Sequence, residues 1–365
     1  MQNAIVTAVD SKYLPAACCT LLSCAGDGET EAQTKFFLLA CDVSTGDVEK
    51  AHRFLKSRDA SVEIIVIGAD RFQPFRVDGY VSAATYSRLL LSEFFDDRWD
   101  RLLYVDADTR IMVPLQTLFD TSLHGRPVGA VHDYLRYLIY GMGDSRKRLA
   151  LQSEAPYFNA GIICFNWRAT IASGLLRRAK SFAIENAHLC VSHDQDALNK
   201  AFEGAWAPLD PRWNFMIVAV PDDVLRLDYP ARLRPYIAHF AGPVKPWMAN
   251  FPVRYEHHRA WYRDLLRDSP WPHFAAPAEA STSETLATSG VARQKGLFAR
   301  DGGLRVAFER LSRLGRGLSS RYRISKPSTD GQLRISGLVS PEDGVACPGL
   351  EQLFNLMVAE AAELQ

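Results

Sequence analysis

The sequence lacks the features that mark several classes of protein. Its charge is balanced, with 42 Lys and Arg against 42 Asp and Glu, so nothing in the total points to a nucleic-acid partner. Its apolar runs, such as FMIVAVP at 215–221, are far shorter than the roughly 20 residues that cross a bilayer. The first residues enter an apolar strand pattern without a basic and then apolar leader, so we expect no secretory signal and a cytoplasmic location.

Paired cysteines are also missing. The chain has seven cysteines, an odd number, and no two of them have C-x-x-C spacing. This pattern argues against a disulfide framework and against a structural zinc site. We therefore predict reduced thiols, as in a cytoplasm.

The composition is that of a folded protein with a substantial core. Hydrophobic residues make up 47% of the 365 positions and charged residues 23%, which is typical of soluble globular proteins. The length allows one large domain or two ordinary ones.

Apolar strands alternate with amphipathic helices over the first third of the chain. The predicted strands are 4–9, 36–41, 62–68 and 101–106, and the predicted helices are 14–25, 47–58 and 82–95, the last capped by Ser82. Alternation of this kind predicts parallel β-α-β units with ligands at the carboxyl ends of the strands. Asp10 and the pair Asp106 and Asp108 fall at such ends.

Later elements are less regular. Strands are predicted at 126–133 and 157–166, a loop or short helix at 134–155, a helix opening within 191–202, and a strand ending in a Gly/Pro-rich loop at 236–247.

The stretch YVDADTRI at 104–111 carries two acids one residue apart after a strand. In extended backbone, alternate side chains point the same way, so Asp106 and Asp108 would converge on one point. Two carboxylates that close raise each other's pKa unless a cation lies between them. Oxygen ligands of this kind suit Mg²⁺ or Mn²⁺. The motif alone fits a solvated turn with two incidental acids equally well.

A second group, HFAGPVKPW at 239–247, follows a predicted strand. His239 offers a nitrogen ligand, and imidazole beside carboxylate favours Mn²⁺ over Mg²⁺. Gly242 lets backbone approach a phosphate closely, and Lys245 is a point charge suited to a phosphate oxygen. The alternative is a Pro/Gly turn with a packed histidine and a surface lysine.

Seven blocks of the sequence, taken in order, resemble retaining glycosyltransferases of family 8. The blocks are AIVTAVDSKYL, ATYSRLLLSEFF, LLYVDADTRI, YFNAGIICFN, HDQDALN, RWNFM and HFAGPVKPW, and the resemblance covers roughly residues 3–262. That family includes bacterial lipopolysaccharide galactosyl- and glucosyltransferases and is related to glycogenin. The resemblance implies an α/β protein with a GT-A fold: a single Rossmann-like nucleotide-binding domain, a mixed, mainly parallel sheet with helices on both faces, and a C-terminal extension.

The resemblance also implies a reaction. It is the retaining transfer of a hexose from UDP-galactose or UDP-glucose to a saccharide acceptor, in lipopolysaccharide or other surface glycan synthesis, with Mn²⁺ or Mg²⁺ as cofactor. Two rival functions are a metal-dependent nucleotidyltransferase or phosphohydrolase, and a catalytically inactive protein that binds sugar nucleotides. Neither rival accounts as well for the blocks taken together.

Site roles follow from the resemblance position by position. Asp106, Asp108 and His239 match the three protein ligands of the metal, with Ala107 between the two acids. Ala8 and Asp10 match the positions that hold uracil, and Tyr13 an aromatic that stacks on it. Positions that match donor-sugar and phosphate contacts are Arg88, Asp133, Asn159, Asp194 and Gln195, and those that match diphosphate contacts are Gly242 and Lys245.

Among these, the resemblance makes Asp194 and Gln195 the nearest candidates for a role at the back face of the sugar, and it implies that Arg88 helps to stabilise the leaving group. Ordinary structural alternatives exist for several positions. They are Tyr13 packing at a helix start, Arg88 pairing with Glu93, Asn159 in a turn and Asp194 capping a helix.

The composition changes after about residue 275. We predict a catalytic domain at 1–275, a flexible linker at 276–292, a basic amphipathic segment at 293–324 and an acidic, partly disordered tail at 325–365. The basic segment carries nine Arg and Lys against two acids, with leucines and a phenylalanine at helical spacing. It is either a solvated surface helix or a peripheral anchor on an anionic inner membrane.

Overall fold

The structure is a computed structural model that describes residues 2–25, 34–77, 81–133, 143–152, 155–217, 235–251 and 255–275, with short pieces at 323–325, 334–336 and 352. The linker, nearly all of the basic segment and most of the acidic tail lie outside these residues, so the predictions for them stay predictions.

The strands of the catalytic region are β1 Asn3–Val9, β2 Thr34–Cys41, β3 Val62–Ile67, β4 Arg101–Val105, β5 Thr109–Ile111, β6 Val128–His132, β7 Phe158–Asn166, β8 Trp206–Pro208, β9 Phe215–Met216 and β10 Ile237–His239. The α-helices are α1 Leu14–Cys24, α2 Thr45–Ser57, α3 Leu91–Phe94, α4 Gln116–Asp120, α5 Gly143–Leu149, α6 Trp167–Ser173, α7 Leu175–Glu185, α8 His193–Ala201 and α9 Glu256–Leu266. Short 3-10 helices lie at Ala69–Phe72, Ala83–Leu89, Ala187–Leu189 and Pro211–Asn214.

Two sheets organise the part of the chain that these elements span. The larger has seven strands in the order β3-β2-β1-β4-β7-β6-β8. The β1–β2, β2–β3, β1–β4 and β6–β8 pairs are parallel, whereas β7 runs antiparallel to both β4 and β6. The smaller sheet has the order β5-β10-β9. The mixed, mainly parallel main sheet that the sequence predicted is therefore confirmed.

The main sheet is covered on both faces. Along β1, Ile5 belongs to one apolar core and Val6 to the other, because successive side chains of a strand point to opposite faces. Residues of α1, α2 and α9 complete the first core, and residues of α7, α8 and the 3-10 helix 83–89 complete the second. Burial on both faces explains why these strands read as nearly continuous apolar runs.

The predicted helix at 82–95 is wrong. This segment is a 3-10 helix, Ala83–Leu89, followed by the single turn α3, and the Ser82 side chain makes no capping hydrogen bond. Residues three apart eclipse each other in a 3-10 helix, which brings Thr85 and Arg88 to the same side. Both contact Asp194 there, so tertiary contacts replace the expected α-helical winding.

The segment between β4 and β5 is a turn rather than extended backbone. Ala107 and Asp108 form it, and the Thr109 hydroxyl donates to the Asp106 carbonyl at 2.8 Å. The Thr20 hydroxyl of α1 lies 2.8 Å from the carbonyl oxygens of both Ala107 and Thr109. These contacts, not the period-two alternation of a strand, fix the geometry of the acid pair.

The smaller sheet carries a distant part of the chain to this turn. β10 pairs antiparallel with β5 and parallel with β9, and the Phe240 amide donates to the Asp108 carbonyl at 2.9 Å. His239, the last residue of β10, therefore lies beside Asp106 and Asp108.

Several remaining sequence predictions can be compared with the described residues. Cys18, Cys19, Cys24, Cys41, Cys164 and Cys190 are all free and buried. No helix within the described residues is long and apolar enough to cross a membrane. In the C-terminal region, Arg323–Ser325 pairs antiparallel with Arg334–Ser336, so the last residues of the predicted amphipathic helix are in a strand.

Candidate active site

One cleft of about 660 Å³ is lined by all the predicted site residues. These are Ala8, Asp10, Tyr13, Arg88, Asp106, Ala107, Asp108, Asp133, Asn159, Asp194, Gln195, His239, Gly242 and Lys245. The cleft lies where β1, β4 and β6 end and β7 begins, because β7 runs antiparallel to its neighbours. The described strands thus direct residues from widely separated segments toward one point.

Asp106, Asp108 and His239 form the one group of potential metal ligands found among the described residues. A ligand atom from each lies within 4.8 Å of the others. His239 Nε2 is 3.6 Å from Asp108 Oδ1 and 3.9 Å from Asp106 Oδ2. Two carboxylate oxygens and one imidazole nitrogen form a donor set that suits a divalent ion such as Mn²⁺.

The imidazole of His239 is in the state that metal binding requires. Burial lowers the pKa of His239 to about 4, so the ring is neutral at physiological pH. Its Nδ1 lies 2.7 Å from Asn214 Oδ1, while Nε2 faces the two carboxylates. A neutral ring bonded through one nitrogen can offer the lone pair of the other to an ion.

The two carboxylates have different electrostatic environments. Burial raises the pKa of Asp106 to about 7, although Arg88 opposes the shift. Burial also opposes ionisation of Asp108, but Lys245, His239 and a backbone hydrogen bond together outweigh burial and hold the pKa of Asp108 below its usual value. The pair therefore carries less than its full negative charge near pH 7, and a divalent ion would favour full ionisation.

Arg88 connects the metal-ligand set with the rest of the cleft. Its Nη2 donates to Asp106 Oδ1 at 2.7 Å. Its Nε lies 2.9 Å from Asp194 Oδ2 and forms an ion pair with it, but the angle does not allow a hydrogen bond. Nη1 donates to the carbonyl of Ala160. The alternative pairing with Glu93 is wrong, because Glu93 pairs with Arg71 and Lys180.

The space around His239 depends on a glycine. A Cβ added at Gly161 would lie 2.3 Å from His239 Cε1 and 2.9 Å from Asp106 Oδ2. The Gly161 carbonyl also accepts a hydrogen bond from the Asp106 amide at 2.8 Å. The absence of a side chain here keeps open the volume between the three ligands, so the residues present fit a bound ion.

The end of the cleft at β1 contains the residues matched to uracil. Asp10 Oδ1 accepts hydrogen bonds from the amides of Lys12 and Tyr13 at 3.0 and 3.2 Å. Tyr13 immediately precedes α1, and its ring contacts Trp247 edge-on with centroids 5.6 Å apart. Packing of Tyr13 at a helix start is therefore correct, and the same ring also lines the cleft.

The opposite end contains the residues matched to the donor sugar. Gln195 Nε2 donates to Asp133 Oδ2 at 2.8 Å, and Gln195 Oε1 accepts from the Ala160 amide at 3.0 Å. Asn159 is in β7 and not in a turn. Asp194 is in the first turn of α8 but does not cap it, since the cap position is Ser192; Asp194 instead accepts from Thr85 Oγ1 at 2.8 Å.

The loop after β10 closes the metal side of the cleft. Gly242 has a φ of 91°, a conformation that glycine adopts far more readily than other residues. Lys245 is buried, contacts Asp108 Oδ2 and donates to the Phe240 carbonyl at 2.9 Å. The predicted surface alternative for this lysine is wrong, because Asp108 holds the ammonium inside the cleft.

Sequence reasoning missed four residues of the site. Thr85 and Gly161 lie within the quoted blocks ATYSRLLLSEFF and YFNAGIICFN, and Asn214 lies within RWNFM, but none was given a role. Tyr104 packs under Arg88, with the guanidinium carbon 4.4 Å from the ring centroid. Only their proximity in the fold distinguishes them from ordinary core residues.

The sequence model of Glycosyl transferase family 8 matches residues 4–250. The chain belongs to glycosyl transferase family 8. This membership makes it a glycosyltransferase, and it excludes the nucleotidyltransferase and phosphohydrolase alternatives.

Relatives within family 8 are distant in sequence. General stress protein A of Bacillus subtilis is 23% identical over 284 residues, which cover 75% of this chain and 96% of the relative. Lipopolysaccharide 1,3-galactosyltransferase of Salmonella typhimurium is 24% identical over 63% of this chain and 67% of its own length. Lipopolysaccharide 1,2-glucosyltransferase of Escherichia coli is 23% identical over a match that covers 72% of this chain and 77% of the relative.

Solved structures agree on the fold of this family 8 chain. The galactosyltransferase LgtC, in complex with donor and acceptor sugar analogs, superposes with a TM-score of 0.61 at 21% identity, covering 75% of this chain and all (100%) of LgtC. The bifunctional glycosyltransferase WbbM superposes with a TM-score of 0.56 at 20% identity, and the match covers 74% of this chain and 50% of WbbM. The GT-A fold is therefore confirmed.

Proposed function

We propose that this family 8 enzyme transfers a hexose from UDP-galactose or UDP-glucose to a saccharide acceptor with retention of anomeric configuration, using Mn²⁺ or Mg²⁺. The observation that carries the proposal is the convergence of Asp106, Asp108 and His239 within 4.8 Å in the cleft. The intact ligand set argues against a catalytically inactive protein that binds sugar nucleotides, because a degenerate site usually loses its metal ligands first. Mn²⁺ is the preferred ion because one ligand is an imidazole.

The residues at the base of the cleft match the charge of a nucleoside diphosphate. When bound, the ion would offset negative charge that develops on the UDP leaving group. Lys245 contributes an ammonium beside Asp108, and Asp108 raises the pKa of Lys245 against the effect of burial, so it stays charged. Preorganised cations in a cleft of low dielectric stabilise developing charge more strongly than cations in water.

The sugar end of the cleft favours attack from the front face. Asp194 is held by Thr85 and Arg88, and Gln195 uses both ends of its amide on Asp133 and Ala160. Neither side chain is a free nucleophile. We therefore propose that the acceptor hydroxyl attacks on the face that UDP leaves, and that its proton passes to a diphosphate oxygen. Gln195 would then support the back face of an oxocarbenium-like centre.

The acceptor is proposed to be a growing surface glycan such as lipopolysaccharide. This assignment is supported by two relatives whose names identify them as lipopolysaccharide galactosyl- and glucosyltransferases. A cytoplasmic enzyme with such an acceptor works beside the inner membrane. We propose that the basic segment 293–324, with nine bases against two acids, makes a peripheral contact with anionic lipid.

A UDP-release assay tests the proposed reaction. The enzyme is incubated with each UDP-hexose, with and without Mn²⁺, and the anomeric configuration of the product is read by NMR. We expect release with UDP-galactose or UDP-glucose, an α-linked product, and loss of activity in EDTA. Asp108→Ala should lower the rate by at least about 100-fold, as expected when several kcal/mol of charge stabilisation is lost.

A matched control is Asp96→Ala, which removes an exposed carboxylate paired with Arg98 at the surface. This variant should keep the wild-type rate. Full activity of Asp108→Ala, or of the wild-type enzyme in EDTA, would reject the metal assignment. A β-linked product would reject retention while leaving the metal assignment intact.

A further inference from the structure

We infer that Asn214 is a positioning residue that fixes the tautomer of His239 and so directs the Nε2 lone pair toward Asp106 and Asp108. The inference rests on the proposed metal-dependent function, because its consequence is the orientation of a metal ligand. It assigns a role to an asparagine that lies outside the cleft lining and contacts the site only through other side chains.

The hydrogen bonds form a chain whose direction is set at one end. The Gly161 amide donates to Asn159 Oδ1 at 2.9 Å, and a backbone N–H cannot act as an acceptor. Asn159 Oδ1 is therefore an acceptor at this position. Asn214 Nδ2 donates to the same oxygen at 2.9 Å. If the Asn214 amide were reversed, two carbonyl oxygens would face each other.

The orientation of Asn214 then determines that of His239. With Nδ2 directed to Asn159, Asn214 Oδ1 is the atom that lies 2.7 Å from His239 Nδ1. A carbonyl oxygen accepts only, so Nδ1 must carry the proton. In a neutral imidazole the other nitrogen is then an acceptor. Nε2, which is the nitrogen facing Asp106 and Asp108, holds the lone pair.

The opposite tautomer would disrupt the whole chain. Protonation of Nε2 would leave the Nδ1 lone pair facing the Asn214 oxygen, and reversing Asn214 to correct this would face its oxygen toward Asn159. A buried polar group that loses its hydrogen-bond partner destabilises the folded state. Asn214, Asn159 and His239 are all buried, so water cannot readily replace the lost bonds.

The fold holds Asn214 rigidly in this place. It is the last residue of the 3-10 helix Pro211–Asn214, and β9 begins at the next residue. β9 pairs in parallel with β10, where Met216 is the register partner of His239. The same strand pair therefore positions both partners of the 2.7 Å contact. Asn214 is fully buried, with 0% of its surface exposed.

The tautomer can be measured without metal or substrate. In long-range ¹H–¹⁵N NMR spectra of histidine-labelled enzyme, His239 is assigned by its absence from His239→Gln. We expect a single neutral tautomer with Nδ1 protonated in the wild type. Asn214→Leu, which removes the acceptor for Nδ1–H, should give a mixture of tautomers.

Mn²⁺ affinity provides the second measurement. Loss of an outer-shell partner typically lowers metal affinity by about 10–100-fold, so calorimetric titration of Asn214→Leu with Mn²⁺ should show a loss in that range. Asn199→Leu is the matched control, because Asn199 is also buried but bonds only backbone groups, those of Phe158 and Gln195. The Mn²⁺ affinity of Asn199→Leu should equal that of the wild type.

The outcomes separate this inference from the proposed function. Wild-type His239 protonated at Nε2 would overturn the inference without any variant, which covers the case in which Asn214→Leu does not fold. A folded Asn214→Leu with unchanged tautomer and unchanged Mn²⁺ affinity would also overturn it. An intact Nδ1-protonated tautomer in an enzyme that binds no Mn²⁺ would instead reject the proposed function and leave the positioning role standing.

Discussion

Arg88 Nη2 donates to Asp106 Oδ1 across 2.7 Å, while the other oxygen of that carboxylate faces His239. Tyr104 also donates to Oδ1, at 3.2 Å. The two oxygens of Asp106 are thus divided between a structural network and the metal-ligand set. Arg88 therefore determines which oxygen is directed toward a bound ion.

Replacing Arg88 should destabilise the fold as well as the site. Arg88→Met would leave Asp106 and Asp194 without their shared cation, and removing one partner of a buried ion pair costs about 3–5 kcal/mol. Urea unfolding at pH 7.5 measures the loss. The control is Arg71→Met, since Arg71 pairs with Glu93 at the surface, where an ion pair contributes at most about 1 kcal/mol. Equal losses of unfolding free energy in Arg88→Met and Arg71→Met would show that the buried ion pairs of Arg88 contribute no more than a surface ion pair.

Lys245→Met tests the predicted contact with the diphosphate. Loss of one charge-assisted hydrogen bond should weaken UDP binding by about 1.5–3 kcal/mol. Calorimetry with UDP at saturating Mn²⁺ measures this change, and a Mn²⁺ titration without UDP reveals any separate effect through Asp108. Lys50→Met, which removes a surface lysine paired with Asp47, should not change either affinity. UDP affinity equal to that of the wild type would reject the phosphate contact.

His132 should make stability depend on pH. Burial lowers the pKa of His132 to about 4, below its unfolded value of about 6.5. Between these two pKa values the unfolded chain binds a proton at His132 that the folded chain does not. The contribution of His132 to the free energy of unfolding is therefore fully present above about pH 6.5 and is lost as the pH falls toward 4. Linkage predicts a loss of about 2 kcal/mol between pH 7.5 and 5.0 from this group.

The variant His132→Phe isolates that contribution. Phenylalanine keeps an aromatic ring against Trp206, which His132 contacts at 4.8 Å between centroids, and cannot take up a proton. Urea unfolding at both pH values should show a smaller pH-dependent loss in His132→Phe by roughly that 2 kcal/mol. An identical pH dependence in the two proteins would mean that other groups account for the effect.

The basic segment 293–324 can be tested at constant chain length. Replacing Arg310, Arg313, Arg316 and Arg321 with glutamine removes four of its nine bases. Binding to phosphatidylglycerol vesicles should fall by roughly 1 kcal/mol per base and should weaken with salt in the wild type, while UDP release with a soluble acceptor stays unchanged. Equal sedimentation of the two proteins with vesicles at low salt would leave only a solvated basic segment.

Local patterns predicted most of the sheet and the acidic residues at the ends of its strands. β1, β2 and β4 are apolar runs, each followed by an aspartate. A nearly continuous apolar run is typical of a strand that is buried on both faces of a sheet. The side chains at their ends, such as Asp10 and Asp106, were therefore placed near the ligand site before any contact was known. The resemblance of the ordered blocks then added residues from distant segments, such as Arg88, Asp133 and Gln195.

The errors have a common physical origin in contacts between distant segments. The helix predicted at 82–95 failed because Arg88 and Thr85 bond Asp194, which lies more than a hundred positions away: the Thr85 bond spans 109 residues. The acid pair lies in a turn that the Thr20 hydroxyl of α1 supports. Asn214 offered no local signal at all, since its role comes entirely from its neighbours Asn159 and His239.

The contact between Lys245 and Asp108 joins residues 137 positions apart, and every described strand of the main sheet lies before His239 in the chain. During synthesis, the sheet can therefore be complete on the ribosome while the centre still lacks its imidazole and its ammonium. A nascent or truncated chain that ends before β10 would present the two neighbouring carboxylates Asp106 and Asp108 without His239 and Lys245. The order of elements thus places the imidazole and the ammonium of the centre in a part of the chain that is translated after the main sheet.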